Sequence, residues 1–230
     1  MKSKIHKHKH DIKEDKFVTA AFIISEFVKT HWKKLLGIVT GIVIVIIIIV
    51  AINSHQKSIE NRALRQFDLA LSVYFNNDFN KAEEEFQILK DDFPSTKEGK
   101  YAYLYLGKIF LERDSVDYVQ ADEYFRKAVS VIKNDILKQA AMVGIAKCYL
   151  GQNNKEKYYS YLEKIVKKFP NFYKTSDLLF EIGEYYYEQD ILENAEIYFR
   201  QIVERFENSQ IFYKAKNRLD EIKQKNLRVG

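Results

Sequence analysis

Five histidines, one cysteine and several acidic runs are the side chains in this 230-residue chain with the chemistry to move protons, attack as nucleophiles or hold a metal. Their spacing argues against each use. Beyond residue 34 the only histidine is His55, so neither a serine nor Cys148 has an imidazole base to activate it, which removes a Ser-His-Asp or Cys-His mechanism. No glycine-rich phosphate loop, HExxH pair or paired-cysteine motif occurs, so no metal or other cofactor is expected and the chain does not read as an enzyme. Glu83-Glu84-Glu85 and Asp91-Asp92 lie in stretches of helical composition and read as solvated faces. Cys148 is the sole cysteine; it can form no intrachain disulfide, and its neighbours Ala146, Lys147, Tyr149 and Leu150 make a helical context that suits a small packed side chain. One pattern, His6-Lys7-His8-Lys9-His10, places alternate imidazoles on one side of an extended strand. The interleaved lysines repel a cation, and ordering a polar tail costs entropy, so a flexible basic tail is the plainer reading.

The segment that must position everything else is 35–52, LLGIVTGIVIVIIIIVAI, 18 residues without a charge. As a helix it rises about 27 Å, close to the roughly 30 Å hydrocarbon core of a bilayer. Being apolar all round, it suits lipid and not water. Residues 1–34 carry nine lysines and four acids, so their +5 is the whole net charge of the protein. Lysines beside a first span stay in the cytoplasm, which places residues 1–34 inside as a basic tail and the large C-terminal part outside. Trp32, beside Lys33 and Lys34, suits the headgroup layer. The apolar run is longer than a signal-peptide core, and Val50-Ala51-Ile52-Asn53 is a poor cleavage site, so an uncleaved signal anchor is expected. The stretch 17–28, FVTAAFIISEFV, is apolar enough to lie in the interface as a helix or to extend the span inward, so lipid contact is expected over 17–52. Residues 35–230 carry 28 bases and 28 acids. That neutral remainder offers no electrostatic footprint for nucleic acid.

Beyond a linker at 53–62 the sequence repeats. Leu69-Ala70 is followed by Ala82, Phe86, Leu89 and Pro94; Leu106-Gly107 and Phe110 by Ala121, Phe125 and Ala128; Ile145-Ala146 and Tyr149 by Leu162, Ile165 and Pro170; Ile182-Gly183 and Tyr186 by Ala195, Phe199 and Ile202. Each set is a helix A with a large-small pair and a helix B with spaced apolar residues. The units start near Ala63, Lys100, Gln139 and Ser176, at intervals of 37, 39 and 37 residues. With only two prolines and eight glycines, nearly all of it can be helical. The stretch 211–225 is amphipathic, as a terminal capping helix within 211–230 requires. Tyr158 stands where the third unit should have a small residue, and a splayed third hairpin is expected there.

These residues resemble the tetratricopeptide repeat, with longer turns than its roughly 34-residue period allows. The resemblance implies an all-α fold: an N-terminal transmembrane helix, then an α-solenoid of about four helical hairpins over 63–210, closed by the capping helix. It also implies a concave face built from helix A. Counting along the units puts Phe67, Leu71 and Tyr74, then Tyr101, Leu104 and Lys108, then Val143 and Lys147, then Phe180, Glu184 and Tyr187 on that face, a groove for an extended or helical peptide. Phe67 and Leu71 occupy positions where clamp-type members hold a chaperone's terminal carboxylate with Lys and Asn, so no such clamp is expected. The layout of basic tail, one span and repeats is similar to that of the YfgM-like family of ancillary Sec translocon subunits. That similarity implies contacts with translocon subunits and periplasmic chaperones; an adaptor in envelope biogenesis or cell division is the alternative. The sequence leaves the oligomeric state open.

Overall fold

The computed structural model describes residues 16–229, and the His6–His10 pattern lies outside the described residues. Among them the chain forms nine α-helices and no strand: α1 (Lys16–Phe75), α2 (Phe79–Asp92), α3 (Lys97–Glu112), α4 (Tyr118–Val131), α5 (Asp135–Gly151), α6 (Lys155–Lys168), α7 (Thr175–Glu188), α8 (Leu192–Arg205) and α9 (Phe212–Val229). Two compact units divide between Ser58 and Ile59.

In the first unit the apolar side chains of α1 beyond residue 18 point outward on every side, and none of its most apolar stretch is buried. Thr30 and Thr40 return their hydroxyl hydrogens to the carbonyls of Glu26 and Leu36, both at 2.8 Å, so neither leaves a free donor on the apolar surface. Residues 17–28 and 53–62, the expected interfacial segment and linker, are both helical within α1.

The second unit is a run of helical hairpins. Three of the turns inside hairpins are alike: Asn77, Asn153 and Asp190 take positive φ of 60°, 59° and 59°. Asn and Asp tolerate this left-handed conformation best among residues with a Cβ. Each turn is tied by a bond from the following N–H to a carbonyl five residues back, Asp78 to Val73, Asn154 to Tyr149 and Ile191 to Tyr186, which satisfies carbonyls the helix end leaves open. Asp78 and Asn154 then cap the next helix, accepting from the amides of Lys81 and Lys157. The second hairpin turns over 113–117 instead, with Asp117 capping α4 through the amides of Val119 and Gln120.

Small residues of helix A let the helix B aromatics in. A Cβ on Gly107 would lie 2.8 Å from the Phe125 ring, one on Gly144 only 2.5 Å from it, and one on Gly183 2.6 Å from Phe199. Phe125 is therefore gripped between α3 and α5, and Phe86, Phe125 and Phe199 are all fully buried. Burying such a ring contributes about 3 kcal/mol at the upper end of ordinary transfer values. Tyr158 is accommodated within the packing of the third hairpin. It shares a buried cluster with Ala146 and Leu162, where Leu162 replaces the phenylalanine of the other units, and its hydroxyl reaches out of the core to donate to Glu181 of α7 at 2.5 Å. The shorter leucine and the outward hydroxyl make room for the ring.

Further tyrosine-carboxylate bonds join helices across hairpins. Tyr74 donates to Glu112, and Tyr186 and Tyr198 both donate to Glu163, at 2.8 and 2.9 Å. Burial first and the carboxylate second push the phenols of Tyr74, Tyr158 and Tyr198 well above the ordinary tyrosine value.

Candidate protein-binding face

The helix A positions expected to form a groove divide into three groups. In the first two hairpins the structure brings several together. Phe67 meets Tyr101 edge-on at 6.2 Å and Tyr105 at 5.6 Å, Leu71 packs half-buried beside them, and Tyr74 touches Tyr105 at 5.5 Å. Lys108 lies 5.0 Å over the Tyr105 ring. This is an aromatic patch centred on Tyr105, a residue the repeat count did not select. Its signal was local: Tyr101, Tyr103 and Tyr105 alternate along α3, and the first and third share its outer side. Burial raises the Tyr105 phenol above its ordinary value, so the ring at its centre carries no charge at neutral pH.

Two positions are core. Leu104 is 1% exposed and packs with Ala141, Ile145 and Cys148, because α5 of the following hairpin covers it. Tyr74 is 8% exposed, with only its bond to Glu112 leading outward. Leu104 offers nothing to a partner. In the third hairpin Val143 is half-buried against the core and Lys147 is exposed.

The third group is already occupied. Arg218 of α9 donates to both oxygens of Glu184, from Nε at 2.7 Å and Nη2 at 2.8 Å, in the two-pronged geometry that makes such pairs strong. The same guanidinium lies 4.8 Å over the Tyr187 ring and Lys225 lies 4.4 Å from it. Tyr187 also donates to Glu221 at 3.2 Å, whose carboxyl Arg218 holds below its ordinary value. Phe180 is half-buried against Phe199, ring centres 5.5 Å apart. Thus α9 fills the face of the fourth hairpin, and the open part of helix A surface runs from Phe67 to Lys147.

Two clefts that sequence reasoning missed recur at hairpin ends beside the Phe-Pro turns. One of about 450 Å³ is lined by Ile136, Gln139, Phe169, Pro170 and Tyr173, among others. Its counterpart, about 370 Å³, lies between Leu64 and the Ser95-Thr96 turn.

Cys148 sits in the second core cluster, 1% exposed, and burial pushes its thiol up to about 12. A thiol so held is protonated and unreactive at neutral pH. Among the described residues no group of three or more His, Cys, Asp and Glu converges on a common point.

A family model described as a tetratricopeptide repeat-like domain matches residues 27–228, starting ahead of the apolar segment and running through α9. No curated protein matches the chain in sequence. With nearly all of its length matched, and with hairpins built on the large-small pairs and buried helix B residues described above, the chain belongs to the tetratricopeptide repeat-like domain family.

Proposed function

We propose that this chain is a non-catalytic, membrane-anchored scaffold that binds polypeptides on the open helix A surface at the outer face of the inner membrane, assisting Sec-dependent export or chaperoning in the periplasm. One observation carries the reading: the chain pairs a helix apolar on every side with hairpins whose aromatic patch at Phe67, Tyr101 and Tyr105 is left uncovered by α9. The first has the length to cross a bilayer. The second has the chemistry of a peptide groove, rings with one flanking cation at Lys108. Tethering keeps such a surface close to chains emerging from a membrane channel and raises its effective concentration there.

Photo-crosslinkers placed at Lys147 and Tyr101 in living cells test this directly. Adducts with translocon subunits, chaperones or exported chains are expected from both positions, and none from a probe at Glu184, which Arg218 of α9 covers. Adducts confined to division or cell-wall proteins would move the role to envelope assembly, and protection of the repeats from protease added to spheroplasts would reverse the topology.

A further inference from the structure

The balanced charge of the repeats conceals a strongly uneven distribution. Residues 133–174, the third hairpin with its flanking turns, hold nine lysines, no arginine and three acids, a formal +6. Residues 175–205, the fourth hairpin, hold eight acids and two arginines, a formal −6. The simplest account is that neighbouring hairpins neutralise one another. The geometry speaks against it. Four of the fourth hairpin's eight carboxylates have partners other than those lysines: Glu184 pairs with Arg218, Asp190 with Lys225 and Glu196 with Arg200, and Glu181 accepts from the Tyr158 hydroxyl. Among the described residues no lysine of 133–174 forms an ion pair.

Three of these lysines line up. Lys157, Lys164 and Lys168 are seven and eleven residues along α6, which returns them to one flank over about 16 Å of helix, and all three are exposed. Tyr161 completes the stripe. Lys164 lies 5.5 Å from the Tyr161 ring, Lys157 lies 5.8 Å from the Tyr149 ring of α5, and the two rings are 6.0 Å apart. From α4, Arg126 stands 6.0 Å over the Tyr149 ring and donates to its hydroxyl at 2.8 Å. The acid at this end is Asp122, and it is taken by Arg126 at 2.6 Å. Of the acids on α6, Glu163 faces away to accept from Tyr186 and Tyr198, and Glu156 falls on the same far flank by helical spacing.

We infer that the Lys157-Lys164-Lys168 flank of α6, with its Tyr149-Tyr161 pair, is a docking surface for an acidic polypeptide segment. Charge complementarity selects an anion, because unpaired cations held this close in one surface raise the local potential and draw in the opposite charge. The lack of a stacking platform selects a polypeptide over a nucleic acid. Tyr149 and Tyr161 are half-buried against each other and the flanking cations, so this stripe offers no free ring on which a base would stack. The surface is separate from the Phe67-Tyr105 patch, and either stands if the other falls.

The test uses the full chain in detergent micelles with an environment-sensitive dye on S160C. Ser160 is exposed on α6 while Cys148 is buried, so the dye reports binding at α6 and is silent to the basic tail. Titration with a short oligoglutamate is expected to saturate the signal at low salt. K157E/K164E/K168E raises the half-saturation point about tenfold, K157R/K164R/K168R retains it, and K214E/K216E/K223E on α9 moves it less than about twofold. Single reversals at each lysine keep the comparison readable should the triple variant fail to fold. Equal weakening in both charge-reversed triples, absence of saturation, or equally tight binding of an oligothymidylate of matched charge would overturn the inference.

Discussion

The two units of this chain put the same apolar chemistry to opposite use, and glycine shows the difference most sharply. In α1, a Cβ added to Gly37 or Gly41 would meet nothing within 4 Å; in the hairpins, one added to Gly107, Gly144 or Gly183 would strike an aromatic ring at 2.8 Å or less. Val43 to Val50 are all exposed while Phe86, Phe125, Phe199, Leu162 and Ile165 are sealed. A periodic apolar pattern buries itself against its own chain, whereas a continuous one has no face to spare and must find its apolar surroundings outside. The period, more than the total hydrophobicity, decides which solvent a helix of this protein is built for.

That contrast can be broken most severely in the apolar stretch. Arginine at both Ile44 and Ile48 adds roughly 5 to 7 kcal/mol to the cost of membrane insertion, and carbonate extraction is expected to release a chain whose repeats still give a native tyrosine near-UV signal. Next in size, Phe125→Ala empties the slot between α3 and α5 and costs about 3 to 5 kcal/mol, read by denaturant unfolding of the full chain in micelles, with membrane association unchanged. Glycine offers the paired comparison. Gly144→Ala presses a methyl into the Phe125 ring and costs about 1 to 3 kcal/mol, while Gly41→Ala, facing open space, leaves the unfolding midpoint unmoved. A destabilising Gly41→Ala would show that α1 also packs closely against something.

The smallest effect separates the units by pH. The phenol of Tyr186 is raised to about 12 by burial and then by Glu163, and those of Tyr74, Tyr158 and Tyr198 are raised further. A raised folded value contributes stability that is complete below the unfolded tyrosine value of about 10 and is lost as pH climbs through the folded one. The repeats should therefore lose thermal stability progressively above about pH 10, by less in Tyr186→Phe, which no longer titrates. Unchanged melting between pH 9 and 11 would contradict the tyrosine-carboxylate bonds.

Much of this was legible beforehand for a local reason. Ala70, Gly107, Gly183 and their partners Phe86, Phe125 and Phe199 are spaced by the hairpin itself, so a repeat count finds them. Leu104 was misplaced because its burial depends on how far α5 of the next unit leans over α3, which no single unit encodes. Glu184 and Tyr187 looked open because the count stops at the fourth hairpin, while Arg218 and Lys225 arrive from α9. The lysines of α6 escaped notice through arithmetic: adding the whole repeat region cancels +6 against −6, and only charge summed hairpin by hairpin keeps the sign and the place together.

Cys148, solitary and walled in by the second core cluster, has a consequence for how this chain matures. Enzymes that oxidise or shuffle thiols find no substrate in it, so the pace at which it reaches its final shape depends on side chains settling against one another.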